Sequence, residues 1–246
     1  MNMLRTVFFF TWMWLLLFFT ILLFIPLILL SLPGLTGLKK TFVHMVTRSW
    51  ARHLIATSGS NVEVRGLENV PRDRAVCVVS NHQSNFDIPL LMAYLPFPPG
   101  FIAKKELARV PFFSSWIRTL NSVFIDRKNI RASVTALSRA AGNVKEGHGM
   151  VLFPEGTRSR TGVPGRFHAA GPRTMAQQGI TFLPVTIYNS REMFEKQMRI
   201  IPTKIRMEIH PPVEGSREND HTITSLLKDI ILTPLGTVES EQERTE

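Results

Sequence analysis

Residues 75–89 read AVCVVSNHQSNFDIP, and this stretch decides the fold class. A valine-rich run bounded by polar residues predicts a buried strand, Ala75–Ser80. A helix is predicted to begin near Asp87, because aspartate caps helices well and Pro89 suits a first turn. Outward from this unit the alternation repeats. Strands are expected at Val62–Arg65, Phe101–Ala103, Ser122–Asp126, Gly149–Phe153, Thr181–Ile187 and Lys204–His210. Helices are expected at Asp87–Tyr94, Pro111–Leu120, Ile130–Glu146 and Ala169–Gln178, with a last one at Thr222–Leu232 ending before Pro234. Such alternation predicts an α/β domain with a largely parallel sheet flanked by helices.

The N-terminus is of another kind. Val7 to Leu32 is 26 residues without a charge, which as a helix reaches ~39 Å against a hydrocarbon core of ~30 Å. A signal peptide fits poorly, since its apolar part runs only ~7–15 residues and ends at a small-residue cleavage site. Leu38 to Ser58 then carries Leu38, Phe42, Met45, Val46, Trp50 and Leu54 at helical spacing beside Lys39, Lys40, Arg48 and Arg52. That pattern suits a helix lying in the lipid interface, although a helix packed on its own domain would share it. The expected division is a membrane anchor over 1–34 and a basic interfacial helix over 35–60. A catalytic-sized domain follows over 61–236, then an acidic, disordered tail over 237–246. A helix pair would thus hold the domain at a membrane, and the Lys/Arg excess after the anchor places it on the cytoplasmic face.

Composition narrows the function. With 20% charged and 44% hydrophobic residues and a mean hydropathy of +0.07, the 246-residue chain is neither disordered nor a polytopic transporter. A single cysteine, Cys77, excludes a disulfide framework, and it reads as a small strand hydrophobe. The seven histidines show no metal-ligand spacing, so no metal is expected. A net charge of +10 calls for a polyanionic partner. Between Lys104 and Arg173 thirteen basic residues face four acids, while residues 1–62 hold no acid at all. Anionic membrane lipid and phosphorylated substrates suit this distribution. No nucleic acid is expected, because no aromatic-interleaved basic patch accompanies the charge.

Two loops could carry chemistry. His82 follows the strand Ala75–Ser80, at the end where open α/β sheets place their sites. Across a tight turn the Asp87 carboxylate can reach its imidazole and leave the other ring nitrogen as a general base. The plainer reading is a turn histidine bonded to backbone. Phe153-Pro154-Glu155-Gly156-Thr157-Arg158-Ser159 likewise follows a strand. Gly156 permits close backbone approach, Thr157 and Ser159 can donate hydrogen bonds, and Arg158 offers a planar fork for phosphate. A salt-bridged corner between Glu155 and Arg158 is the alternative there.

Asn81-His82 with four residues before Asp87, followed by Phe-Pro-Glu-Gly-Thr-Arg-Ser at 153–159, resembles the glycerolipid acyltransferases typified by 1-acyl-sn-glycerol-3-phosphate acyltransferase. Two more blocks are similar: Lys104-Lys105-Glu106-Leu107 with Pro111-Phe112-Phe113 and Phe124-Ile125-Asp126-Arg127, and Leu183-Pro184-Val185 with Thr186-Ile187. Where the family usually has glycine, this chain has Ser114-Ser115 and Asn121-Ser122. The family's Phe-Lys-Lys-Gly reads Phe167-His168-Ala169-Ala170.

The resemblance implies acyl transfer from a thioester, acyl-CoA or acyl-acyl carrier protein, to the sn-2 hydroxyl of lysophosphatidic acid, with no cofactor. His82 would be the base and Asp87 its orienter. Arg158 and Lys104 or Lys105 would grip the phosphate, with Arg127 a further candidate unless it pairs with Asp126. Gly156, Thr157 and Ser159 would position substrate, and Glu155 would meet a substrate hydroxyl or hold Arg158. Oxyanion donors are sought in the backbone near the helix start after Asp87 or around Gly156. Another lysophospholipid, glycerol 3-phosphate or a lyso-aminolipid is the alternative acceptor. A basic membrane-bound recruitment module is the non-enzymatic one.

Overall fold

The computed structural model describes residues 2–159 and 161–242, with only the backbone of Asn2 and of 236–242. In chain order its elements are α1 (Asn2–Phe19), α2 (Phe24–Leu29), α3 (Thr36–Ser58), β1 (Asn61–Arg65), β2 (Cys77–Ser80), α4 (Asp87–Tyr94), β3 (Gly100–Lys104) and α5 (Phe113–Thr119). They continue with β4 (Val123–Ile125), α6 (Ile130–Lys145), β5 (Met150–Leu152), α7 (Ala170–Ala176), β6 (Phe182–Tyr188), β7 (Lys204–Ile209) and α8 (Ile223–Gln242). All seven expected strands are present, each within two residues of its expected limits.

The strands form one sheet in the order β1-β7-β6-β2-β5-β3-β4. Every neighbouring pair is parallel except β6 with β7. Successive strand residues face opposite ways, and both faces of the central strands are covered. Val78, Val151, Leu183, Val185 and Ile187 pack with residues of α1, α3 and α4. Cys77, Val79, Met150, Leu152 and Phe182 pack with α6, α7 and α8. This double burial explains why the strands read as unbroken apolar runs.

Three boundaries differ from expectation. The uncharged N-terminal run is two helices broken by a 3₁₀ turn at Thr20–Leu23, where Thr20 Oγ1 donates to Leu17 O at 2.6 Å. Asn121 takes φ +54°, a left-handed conformation that asparagine tolerates better than most residues. Phe112 also has positive φ, +58°, and α5 begins only after it. At the far end α8 continues through Pro234 to Gln242, so the expected tail is helical over 237–242. Residues 243–246 lie outside the described residues.

The N-terminal helices lie against the domain. Phe9, Leu17 and Leu27 are buried, and Arg5 Nη2 donates to Ser58 O at 2.9 Å. Trp116 Nε1 donates to Thr20 Oγ1 at 2.8 Å. Leu4, Phe8, Phe19, Leu22 and Ile25 stand exposed on the other side. The stretch Met3–Leu29 is long and apolar enough to cross a membrane. α3 packs on the domain through Val43, Thr47, Ala51, Leu54 and Ile55, a face offset from the stripe expected from sequence. Leu38 and Met45 of that stripe point outward. Arg48 and Arg52, expected in the basic flank of an interfacial helix, both donate through Nε to Ala93 O near the end of α4.

Asn81 joins the two strands that flank the site loop. Its side chain is buried, donates to Ile187 O at 2.8 Å and accepts from Ile187 N at 2.9 Å. Asn81→Ala leaves both backbone groups without these partners, at roughly 1–3 kcal/mol each. Thermal unfolding in detergent is expected to shift down by about 5–10 °C.

Candidate active site

Because β2, β5, β3 and β4 run parallel, the residues that follow each of them gather along one edge of the sheet. His82 follows β2, Glu155 to Ser159 follow β5, Lys105 follows β3, and Asp126 and Arg127 follow β4. Lys104 is the last residue of β3. The first three blocks therefore meet along one edge, while the fourth, Leu183 to Ile187, lies within β6.

His82 Nδ1 lies 2.8 Å from Asp87 Oδ2. The same oxygen accepts from Gln83 N at 2.8 Å and Ser84 N at 2.9 Å. Asp87 is fully buried as the first residue of α4, where the helix dipole favours a negative charge. The His82 side chain is 14% exposed, and its ring stacks on Phe153, centroids 4.0 Å apart. Facing the carboxylate, Nδ1 carries the hydrogen and Nε2 is left as the basic nitrogen. The turn histidine bonded only to backbone is excluded by this geometry.

Glu155 does not hold Arg158. Its Oε1 accepts from His82 N at 2.8 Å and its Oε2 from Gly165 N at 2.7 Å, so it locks the two loops together. Burial pushes its carboxyl above the usual carboxylate range, against the lowering effect of those two donors. Ser159 N adds a further tie, donating to His82 O at 2.8 Å. Gly156 has φ +71°, a conformation that excludes most side chains. Thr157 is exposed beside it, while the Ser159 hydroxyl is spent on Val163 O. Gly156 N donates to Phe153 O, and the backbone N–H groups of His82 to Asp87 all donate within the protein. These N–H groups are therefore engaged within the protein.

Arg158 instead meets a residue that the sequence did not suggest. Its Nη1 donates to Glu195 Oε1 at 3.0 Å, and its side chain remains 40% exposed. Glu195 also accepts from Ser84 Oγ at 2.6 Å and from Asn85 N at 2.7 Å. It lies beyond the last block, 37 residues from Arg158, and no spacing signal marks it. Of the second block, Lys105 pairs with Asp126, so Asp126 does not serve Arg127, and Arg127 is exposed. Lys104 Nζ is 3.6 Å from Glu106 and mostly exposed.

A cleft of about 1080 Å³ lies elsewhere, at the opposite edge of the sheet, beside Ala75, Gly149 and Thr181, which precede β2, β5 and β6. Of its cations, Lys40 is bonded to Gly147 O and Arg74 to Asp73 and Glu214.

A sequence model of the Acyltransferase family matches residues 61–188, more than half of the chain. The chain belongs to the acyltransferase family. It is 30% identical over 187 residues to the 1-acyl-sn-glycerol-3-phosphate acyltransferase of Pseudomonas aeruginosa, covering 74% of this chain and 72% of that one. To the Borreliella burgdorferi protein of the same name it is 29% identical over 186 residues, 74% of each chain. The crystal structure of the 1-acyl-sn-glycerophosphate (LPA) acyltransferase PlsC from Thermotoga maritima superposes with a TM-score of 0.84 at 27% identity, covering 97% of this chain and 96% of that one. The protein is an O-acyltransferase, which displaces the non-enzymatic reading.

Cys77 takes no part in this site. It lies fully buried in β2, and burial pushes its thiol up to about 12. Cys77→Ala is expected to keep acyl transfer within threefold of the parent, and the native thiol to resist iodoacetamide until the protein is unfolded.

Proposed function

We propose that this acyltransferase moves a fatty acyl group from an acyl thioester to the sn-2 hydroxyl of 1-acyl-glycerol-3-phosphate, forming phosphatidate. The observation that carries the reading is the His82–Asp87 pair at 2.8 Å, joined through Glu195 to the guanidinium of Arg158. A general base thus sits on the same loop assembly as a fork suited to phosphate. The names of the relatives point the same way.

In this mechanism His82 Nε2 takes the proton from the hydroxyl as its oxygen attacks the thioester carbonyl. Asp87 holds the imidazole in the productive tautomer and stabilises the imidazolium that forms. Collapse of the tetrahedral intermediate breaks the C–S bond. The departing thiolate, whose conjugate thiol has a pKa of ~8.5, recovers the proton from His82. No enzyme-bound acyl group is needed, in keeping with the inert Cys77. Arg158 pairs with the acceptor phosphate in bidentate fashion, and Lys104, Lys105 or Arg127 adds positive charge from the neighbouring strand ends. Acyl-CoA and acyl-acyl carrier protein both satisfy this chemistry as donor.

The exposed apolar face of α1 and α2 rests in lipid, with Lys39 of α3 towards anionic headgroups on the cytoplasmic side. Acceptor and product are amphiphiles, so a site on the membrane surface meets both.

Purified protein in detergent, supplied with lysophosphatidate and each thioester, is expected to yield phosphatidate identified by mass. Lysophospholipids with other headgroups, glycerol 3-phosphate and a lyso-aminolipid serve as competing acceptors, and a preference for any of them over lysophosphatidate overturns the acceptor assignment. His82→Ala should abolish transfer without releasing the protein from membranes; activity within tenfold of the parent removes His82 as base. Asp87→Asn should lower kcat by about a thousandfold or more, because an amide favours the wrong tautomer. Arg158→Ala should raise KM for lysophosphatidate at least tenfold and leave KM for the thioester within threefold.

A further inference from the structure

The geometry points to Glu195 as a positioning residue that presets Arg158 for the acceptor phosphate, an inference that rests on the reading of Arg158 given above. Both oxygens of the Glu195 carboxylate are committed. Oε2 takes the Ser84 hydroxyl, while Oε1 takes Asn85 N and Arg158 Nη1. One of these donors is backbone of the catalytic loop, so the carboxylate is fixed relative to His82 and Asp87. Its side chain is only 13% exposed. The segment that carries it is pinned in turn: Phe194 packs edge-on against Phe10, centroids 5.1 Å apart, and Ile200 N donates to Thr6 Oγ1 at 2.9 Å.

An untethered arginine at 40% exposure would sample many rotamers, and a phosphate would have to order it on binding. One bond to a fixed carboxylate removes most of that freedom and uses one of the five guanidinium N–H donors. The other four stay in a plane of defined orientation. Three donors on Glu195 also temper its charge, so the carboxylate acts as an anchor for Arg158 and does not compete with phosphate for it.

Glu195→Ala and Glu195→Asp, the latter keeping the charge while shortening the reach, are expected to raise KM for lysophosphatidate about tenfold. They should leave kcat and KM for the acyl thioester within threefold. Glu195→Gln retains an oxygen for Asn85 N and Arg158, and its KM is expected to stay within threefold of the parent. In an Arg158→Ala background Glu195→Ala should add nothing to KM, because its effect passes through that guanidinium. Thermal unfolding of each variant controls for folding, and Glu195→Asp decides the case if Glu195→Ala does not fold. The inference is overturned if the losses fall on kcat and on both substrates alike, or if they add to those of Arg158→Ala. A fall in KM in Glu195→Ala would mean that the carboxylate competes with phosphate, and overturns it too. If Arg158→Ala itself leaves KM for lysophosphatidate unchanged, the phosphate assignment fails as well, and that result separates the two.

Discussion

Asp87 Oδ2 accepts three hydrogen bonds in a space closed to water, from the His82 imidazole and from the backbone N–H groups of Gln83 and Ser84. Everything that follows β2 is organised by that one oxygen. A buried carboxylate is costly unless donors surround it, and here the chain folds its own loop over the first residue of α4 to provide them. The donors that meet Asp87 Oδ2 also fix the loop conformation and the orientation of the His82 ring. Stability of the turn and orientation of the base are thus the same set of bonds.

A second carboxylate extends the lock from one strand to its neighbour. Glu155 follows β5, and it grips the backbone of His82 on one side and of Gly165 on the other. Unlike Asp87, it faces no imidazole proton, and burial together with the nearby Asp87 charge pushes its carboxyl upward. The third carboxylate, Glu195, performs the corresponding service from beyond β6, taking Ser84 and Asn85 from the same loop. Three carboxylates converge on the backbone N–H groups of four successive residues, His82 to Asn85. Asp87 and Glu155 together fix the ring and the backbone of His82, the rigidity that the proposed role as base requires.

How much of this was legible depends on whether the signal is local. The strands were readable because burial on both sheet faces leaves a continuous apolar run, as in Val76 to Val79. His82 and Asp87 were readable because both belong to one turn. The buried face of α3 was not, since its apolar residues serve two surfaces: Val43, Ala51 and Ile55 meet the domain, whereas Leu38 and Met45 face outward. Glu155 was found in the sequence, but its partners are backbone groups, which leave no trace in residue type. Glu195 was invisible for a stronger reason. Its partners lie 110 and 37 residues away along the chain, and only the folded sheet brings them together.

The apolar N-terminus is built into the domain. Phe9 of α1 is buried against Phe86, centroids 5.5 Å apart, and Phe86 immediately precedes Asp87. Phe10 packs on Phe194, next to Glu195, and Thr6 holds the backbone at Ile200. One helical turn and a half of α1 therefore supports both ends of the arrangement, the His82–Asp87 pair through Phe86 and the Glu195–Arg158 pair through Phe194. An anchor that simply crossed a bilayer would need no such contacts, and a soluble core helix would not leave Leu4, Phe8 and Phe19 exposed. The helix is two-faced: one side packs behind the His82 loop, and the apolar side turned outward is long enough, with α2, to anchor the protein in a membrane.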